Sequence, residues 1–377
     1  SGMDKFMIKW LLPSQIPNPQ VRAWAELFEQ HPSQQLIENV RTDFRLLSIN
    51  DRWFLPVTIN NTEFDNSYVC SPYTACVTYS IEELDRNIRN PFLNKSLNLL
   101  LKGTSNWLIR NEINKTIHVN NFLLSTNPDP DWHGIYLPQI VRFLTEQFPQ
   151  HTLIFRSLNQ VQHSLLLHEF ERYGFRTGAS RQVYYFHPHA QTWSKHNNIG
   201  NDRRLVQKSE LTYVSPTEIG GYVSQIRELY NQLYIQKYSQ HNPRFTELFF
   251  EKAFSNQLFR FEGYRNDEGL LKSVVGLFEL NGTITSPIVG YDTSESPKKG
   301  LYIQAIELIF RRMHQTNQVQ NLSSGAASFK RLRGGQGHLE YSAIYFNHLP
   351  AARQQMWKTL LFLLNKIGIP LLEKYEL

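Results

Sequence analysis

Apolar and polar positions along this chain alternate between two periods, and the switches between them predict its elements. Residues 21–29, downstream of Pro17 and Pro19, read as a short helix. Residues 44–49 and 53–59 roughly alternate apolar with polar, as half-buried strands do. Ser80 followed by Glu82 and Glu83 marks a helix start with acids in its first turn. A strand over 117–124, a helix over 135–148, a strongly apolar strand over 151–157 and a helix over 161–173 follow. Gly174 closes that last helix, and 181–186 returns as a strand. Strand–helix–strand–helix–strand implies a mixed sheet with crossover helices. Residues 187–208 lose periodicity and gather polar and turn-forming types, which predicts a linker.

The second half repeats that order. Residues 222–238 and 246–253 read as helices parted by Asn242-Pro243. Strands over 259–264 and 271–280 are joined by an Asn-Asp-Glu-Gly turn. Asn281-Gly282, a strong hairpin signal, pairs 283–290 antiparallel with the strand before it. Leu301, Ala305, Leu308, Ile309 and Met313 share one face of a helix over 301–313. Residues 319–323 and 340–346 read as strands, and Pro350 opens a closing helix through Asn365. The expected fold class is α/β, mixed α+β. It comprises an N-terminal domain over 1–190, a linker over 191–209 and a C-terminal domain over 210–377, each a twisted mixed sheet flanked by helices.

Composition refines this picture in a few places. At 377 residues, with 41% hydrophobic and 13% aromatic positions, the chain can bury two substantial cores. Its 39 basic against 33 acidic residues give a net charge of +6, which suits an anionic partner but selects none. Cys70 and Cys76 are the whole thiol inventory, too few for a disulfide framework or a four-cysteine metal site. No leader peptide is recognisable, and the longest apolar cluster, 360–364, is far short of the ~20 residues of a membrane span. A soluble cytoplasmic protein is the expectation.

The candidate chemistry lies in 290–334. Gly290-Tyr291-Asp292 ends a strand, Ser296-Pro297-Lys298-Lys299-Gly300 forms a loop, and the 301–313 helix follows. A helix whose first N–H groups follow two lysines and a glycine is a ready site for a phosphate-bearing ligand. A second strand then runs through Ser323 and Ser324 into a Gly-Ala-Ala-Ser turn and Phe329-Lys330-Arg331.

This ordered set resembles the acyl-CoA-binding half of the GNAT superfamily of N-acyltransferases, and more narrowly its FemAB-like and CelD-like branch. The close resemblance covers about 45 residues and the looser one about 170, as an ordered set of short motifs. It implies two tandem GNAT-like domains, the first degenerate and without a cofactor site, because Asp129 and Asp131 in its corresponding loop would repel a pyrophosphate. It implies that backbone groups at Val289 and Gly290 meet a thioester carbonyl. Lys298, Lys299 and the N–H groups of Gly300, Leu301 and Tyr302 would hold the pyrophosphate of acyl-CoA, acetyl-CoA or longer, with Phe329 and Lys330 nearby. Asp292 and Glu279 are the candidate bases for an amine acceptor, and Tyr291, Tyr302 or Tyr341 the candidate acids. Ser323 and Ser324 are placed to touch that acceptor, a small molecule or a peptide.

The family pattern often carries an acidic residue where this chain has Asn321 and a tyrosine where it has Phe329. Those departures leave open a binding module that kept the fold and lost the chemistry. A FemAB-like transferase using aminoacyl-tRNA is a further alternative, with Arg311, Arg312, Lys330, Arg331 and Arg333 supplying phosphate contacts. No metal is expected, since His187, His189 and His196 lack a carboxylate or cysteine at ligand spacing.

Overall fold

The computed structural model describes residues 7–189 and 197–377, and its backbone contacts divide the chain into two compact units. Unit 1 comprises 1–33, 39–182 and 338–377; unit 2 comprises 34–38 and 183–337. The expected boundaries at 190 and 210 differ from this division. The final forty residues belong with the first half of the chain. The expected linker also contains a helix, Asn197–Lys208, assigned to unit 2.

In unit 1 the chain forms β1 (Ile8–Leu11), β2 (Asp43–Ile49), β3 (Trp53–Asn60), β4 (Thr116–Val119), β5 (Thr152–Asn159) and most of β6 (Arg176–Phe186). β1 to β4 pair antiparallel in sequence order, and β4 runs parallel to β5. Beside β5, antiparallel, lies the chain's last strand, β12 (Gln336–Tyr345), with Tyr341 opposite Leu158 and Ile344 opposite Ile154. Helices Leu137–Gln147 and Ser164–Arg172 bury Ile140, Leu144, Leu166 and Phe170 against Val57, Val119 and Phe155. The closing helix Ala351–Leu363 packs Met356, Trp357, Leu360 and Leu361 into a second cluster with Leu108, Ile113 and Ile154.

Local chemistry explains most element ends. Asn18 and Asn90 cap the Pro19–Gln30 and Pro91–Arg110 helices, each side chain accepting from two first-turn N–H groups ahead of a proline that has none to offer. Ser80 does not cap; it lies inside a helix already running from a π-helical turn over Thr74–Thr78, and its hydroxyl donates to the Ala75 carbonyl. β4 stops at Val119, five residues before the expected end, because Asn120 turns left-handed at φ 57°.

Unit 2 carries the order inferred from sequence except for the final strand and the closing helix, which are assigned to unit 1. Helices Val223–Tyr230, continued as a π-helical stretch Asn231–Tyr238, and Glu247–Ser255 precede a meander. β7 (Thr212–Val214), β8 (Arg260–Arg265), β9 (Leu271–Leu280) and β10 (Thr283–Tyr291) pair antiparallel in turn. The helix Leu301–Thr316 then crosses over to β11 (Val319–Asn321), which runs parallel to β10. On its other side β11 meets the end of β6, antiparallel, at Tyr185 and Phe186. In each unit the strands are therefore mixed in direction and flanked by helices, and each set is completed by a strand from a distant part of the chain. Val275, Leu277, Ile284, Val289, Ala305, Leu308, Ile309 and Met313 form the core of unit 2.

Two consequences are measurable. A fragment ending at residue 190 lacks β12 and the Trp357 cluster. It should show no cooperative thermal transition by circular dichroism, whereas the boundaries read from sequence would make it an independently folded domain. Burial also sets opposing pH trends in unit 1. It pushes His163 down to about 4, and burial with the nearby Arg156 charge pushes His118 down to about 3. Both imidazoles stay neutral in the fold but charge in the unfolded chain near 6.5, so stability falls as pH drops below 6.5. Burial pushes Asp129 up to about 7, so its carboxyl gains stability over the same descent, from 7 towards 4. Asp129→Asn removes that gain, and urea titrations at pH 7 and 4.5 should show the acid loss deepen by roughly 2–3 kcal/mol. Equal losses in both proteins would refute this assignment.

Candidate functional site

β10 and β11 run together for only three residue pairs, Thr283–Val319, Ile284–Gln320 and Thr285–Asn321. Beyond them β10 continues for six residues while the other chain turns away. At the same level Ser286 and Pro287 together face the single residue Leu277 of β9, a bulge that suits a proline with no N–H for the ladder. After the bulge the Asp292 N–H donates to the Lys272 carbonyl (3.0 Å), which continues the ladder on the β9 side. Antiparallel alternation then turns Gly290 towards β9 and points the N–H groups of Val289 and Tyr291 to the side that β11 has left.

Polar contacts hold β11 away. Asn321 accepts from the Ser323 N–H (2.9 Å) and donates to the Tyr185 hydroxyl (3.0 Å), ending the strand in a left-handed Ser323 at φ 58°. The Lys330 ammonium, 5% exposed, donates to the Leu322 carbonyl (2.7 Å) and the Ser324 carbonyl (3.0 Å). Ser323 and Ser324 lie in this turn, their backbones used to shape it. On its own side β10 is pinned by Gly290: a Cβ there would sit 2.7 Å from the Leu229 carbonyl carbon and 2.8 Å from the Tyr230 nitrogen.

The Leu301–Thr316 helix begins beside β9, where the Ser273 hydroxyl donates to the Leu301 carbonyl (2.9 Å). Gly300 precedes it at φ 67°, and no side chain caps its first turn. Lys298 and Lys299 are exposed on the loop. One expected pyrophosphate donor is excluded. The Gly300 N–H already donates to the Pro297 carbonyl (3.0 Å), and Gly300 is buried against Leu205 of the Asn197–Lys208 helix. The N–H groups of Leu301 and Tyr302 remain in the uncapped turn, one turn before Gln304 takes up the helical ladder by donating to the Gly300 carbonyl.

Several other assignments from sequence change. Glu279 lies six residues along β9 from Ser273, the partner of Tyr291, so about 20 Å from Tyr291 at 3.4 Å per residue; it pairs with Ile284, one residue before the last β10–β11 pair, at the near end of the opening. It is held there by Arg312, whose Nη2 donates at 2.9 Å. Asp292 is an acceptor already filled, by the Ser294 hydroxyl (2.5 Å), the Ser294 N–H (3.0 Å) and Lys272 Nζ (3.0 Å). Burial alone would raise its carboxyl, but these donors outweigh it and hold the group below the usual carboxylate range, unfavourable for a base. Lys330 is a structural cation, not an exposed cofactor contact. The Phe329 ring stacks under Arg333 (3.5 Å to the ring centre) and against Tyr302 (4.9 Å). Tyr341 belongs to unit 1, where it packs on the apolar core.

The basic residues offered as RNA contacts are likewise engaged. Arg312 pairs with Glu279, Arg311 donates to the Tyr264 hydroxyl (3.1 Å), and Arg333 makes a buried two-point ion pair with Asp202 (2.6 and 2.9 Å). Burial pushes both cysteine thiols up to about 12, against a nucleophilic role. Among the described residues no group of three or more His, Cys, Asp and Glu could hold a metal, and no helix is long and apolar enough to cross a membrane. His196 lies outside the described residues.

What sequence reading missed is the aromatic wall beside the opening. Tyr230, Tyr234 and Tyr238, spaced by four, form a row along the helix and its π-helical continuation: Tyr230, itself buried, stacks on Tyr234 at 4.8 Å, and Tyr238 meets Tyr234 edge-on at 5.8 Å. Lys237 on the same stretch donates to the Tyr291 hydroxyl (3.0 Å), and Tyr291 faces Tyr302 at 5.8 Å. Burial beside the other tyrosines raises the Tyr302 hydroxyl well above its ordinary value, so it stays protonated. The i, i+4 tyrosine spacing was the available signal, but it read as ordinary helix packing.

Helices, a three-strand meander, a crossover helix, a parallel strand that diverges from a bulged neighbour and the short helix Ala327–Arg331 give unit 2 a GNAT-like order up to the last strand, β12, which is assigned to unit 1. No family model matches the chain, and no curated protein matches it. Solved structures with similarity to it include FemX, 8% identical over 62% of this chain and 80% of that one, with a TM-score of 0.46. L-PGS from Bacillus licheniformis is 13% identical over 62% and 79%, with a TM-score of 0.43. A GCN5-related N-acetyltransferase from Sphaerobacter thermophilus is 12% identical over 92% and 97%, with a TM-score of 0.32.

The backbone approach at Gly290 is directly testable. Gly290→Ala forces its methyl into the Leu229–Tyr230 backbone and should cost about 1–3 kcal/mol in urea unfolding. A neutral substitution would show that the helix can retreat and that the approach is not close.

Proposed function

We propose that the chain is an acyl-CoA-dependent N-acyltransferase whose donor site is the opening between β10 and β11 in unit 2. The observation that carries this reading is the divergence after Thr285–Asn321, which turns the Val289 and Tyr291 N–H groups towards an unpaired side directly ahead of an uncapped helix. The site's donors fit a phosphate-bearing thioester in part: Lys298, Lys299 and the Leu301 and Tyr302 N–H groups are placed for a diphosphate, while Gly300 and Lys330 are not. When bound, acyl-CoA supplies an activated acyl carbonyl to an amine.

The residues of this chain then divide the remaining work. The Val289 or Tyr291 N–H offers a fixed dipole where negative charge develops on an acyl oxygen, worth roughly 3–4 kcal/mol for one good donor. The Tyr291 hydroxyl is oriented by Lys237, which suits it to protonate the leaving sulfur while the proton released by the acylated nitrogen restores it. Tyr302 and Phe329 line the approach and exclude water. The acceptor is an amine on a small molecule or peptide.

Calorimetric titration with acetyl-CoA and longer acyl-CoAs tests this reading. Saturable binding is expected, weakened at least tenfold when Lys298 and Lys299 are both replaced by Ala. Tyr291→Phe should preserve binding while lowering turnover of an accepted amine by about 10²–10⁴. A folded protein that binds no thioester ends the proposal.

A further inference from the structure

Unit 1 buries more cationic charge than its own carboxylates neutralise, at the place where open sheets of this kind take ligands. β4 and β5 are parallel, their last paired residues are Val119 and Phe155, and the next residue on β5 is Arg156. Crevices outside the carboxyl ends of parallel strands are the general binding position in such sheets.

Arg156 differs from the other buried arginines of this unit. Arg181 is matched: its Nε and Nη2 donate to the two Glu340 oxygens at 2.9 and 3.1 Å, with side chains 17% and 5% exposed. Ser180 occupies Glu340 further, donating at 3.1 Å. Arg353 tethers the Asn111 and Glu112 carbonyls at 3.1 Å and has the Glu112 carboxylate at 3.8 Å. Arg156 has no carboxylate within ion-pair distance among the described residues. Its Nη1 reaches the Val69 and Leu124 carbonyls (3.3 Å) and Asn121 Oδ1 (3.4 Å), and its Nη2 the Ser125 carbonyl (3.4 Å), all long contacts. Nε donates to no protein group among them. Glu340 acts on Arg156 from beyond ion-pair distance, so this partly buried guanidinium has only long contacts and its side-on edge carries no direct carboxylate.

Two tyrosines lie in the same surroundings. The rings of Tyr68 and Tyr79 lie 4.7 Å apart, both half-buried, and Tyr79 follows directly on the π-helical turn Thr74–Thr78. Arg156 and Arg181 both act electrostatically on the Tyr68 hydroxyl, which burial keeps protonated and able to donate. Asn120, Leu123 and Ser157 around the guanidinium are left-handed at φ 57°, 56° and 64°. Such strain in residues with side chains concentrates at binding sites.

We infer that unit 1 holds a carboxylate-bearing ligand against Arg156, with the Tyr68 and Tyr79 hydroxyls as neutral donors beside it. The planar guanidinium edge matches two carboxylate oxygens, whether from a free organic acid or from a peptide's terminal carboxylate. This inference does not depend on the reading of unit 2.

The test uses the full chain, with ¹⁵N-labelled arginine, titrated at constant ionic strength with succinate, N-acetylglycine and inorganic phosphate. The Arg156 Nε–H resonance, assigned by its loss in Arg156→Gln and Arg156→Lys, should shift saturably with succinate or N-acetylglycine. The tighter of the two separates a free acid from a peptide end. Calorimetry should show that affinity at least tenfold weaker in Arg156→Lys, which keeps the charge and loses the planar edge. The inference fails if neither carboxylate shifts the resonance, if the lysine variant binds equally well, or if phosphate binds as tightly as the carboxylates. Should Arg156→Gln not fold, the wild-type titration with the lysine variant decides alone.

Discussion

The Lys330 ammonium, buried under the Leu322–Ser324 turn and bonded to two of its carbonyls, controls where the chain leaves β11. A buried cation accepts such a position only when carbonyl dipoles replace its water, so the turn and the lysine stabilise each other. Asn321 reinforces the exit by bonding the Ser323 N–H. With β11 ended at three residues, β10 cannot stay paired on that side, and the Ser286–Pro287 bulge re-aims what remains of it. The opening, the direction of the Val289 and Tyr291 amides, and the placement of the following helix all descend from that exit. Phe329 and Asn321, which depart from the related pattern, thereby acquire structural explanations: one stacks between Arg333 and Tyr302, the other terminates a strand.

The two units share a device and differ in its use. In each, a parallel strand pair parts beside a left-handed residue, Asn120 in one and Ser323 in the other. In unit 2 the nearby charge is internally satisfied, with Lys330 on carbonyls, Arg333 on Asp202 and Arg312 on Glu279, and the opening offers backbone amides with exposed lysines at its edge. In unit 1 the corresponding place offers an arginine with no carboxylate of its own. Asp129 and Asp131, expected to repel a diphosphate there, sit in a loop where Asp129 is buried and accepts from the Asp131 N–H and the Trp132 indole. The same topology therefore places backbone amides at one parting of strands and a guanidinium at the other.

Local signals proved reliable wherever a few neighbouring residues decide the outcome. The Asn281-Gly282 hairpin, the meander 260–291 and the amphipathic Leu301–Thr316 helix are set by turn chemistry and by periods of 2 and 3.6, and they stand where the pattern puts them. Gly174 closes its helix at φ 87°, as a C′ glycine should. The Pro91–Arg110 helix was equally available from Asn90-Pro91 yet passed unread, because its apolar residues are too evenly spread to mark one face.

What one dimension could not carry was the pairing of charges and strands distant in sequence. Asp292, Lys330 and Glu279 are chemically versatile residue types, and only the fold reveals their partners, Lys272, the turn carbonyls and Arg312. The place of β12 beside β5 likewise depends on hydrogen bonds between residues more than a hundred and eighty positions apart. The sequence determined the elements and their order, because helix and strand periods are local properties. Tertiary structure alone decided the unit boundaries, the surroundings of Arg156 and the aim of two backbone amides, since burial and pairing exist only once distant segments meet.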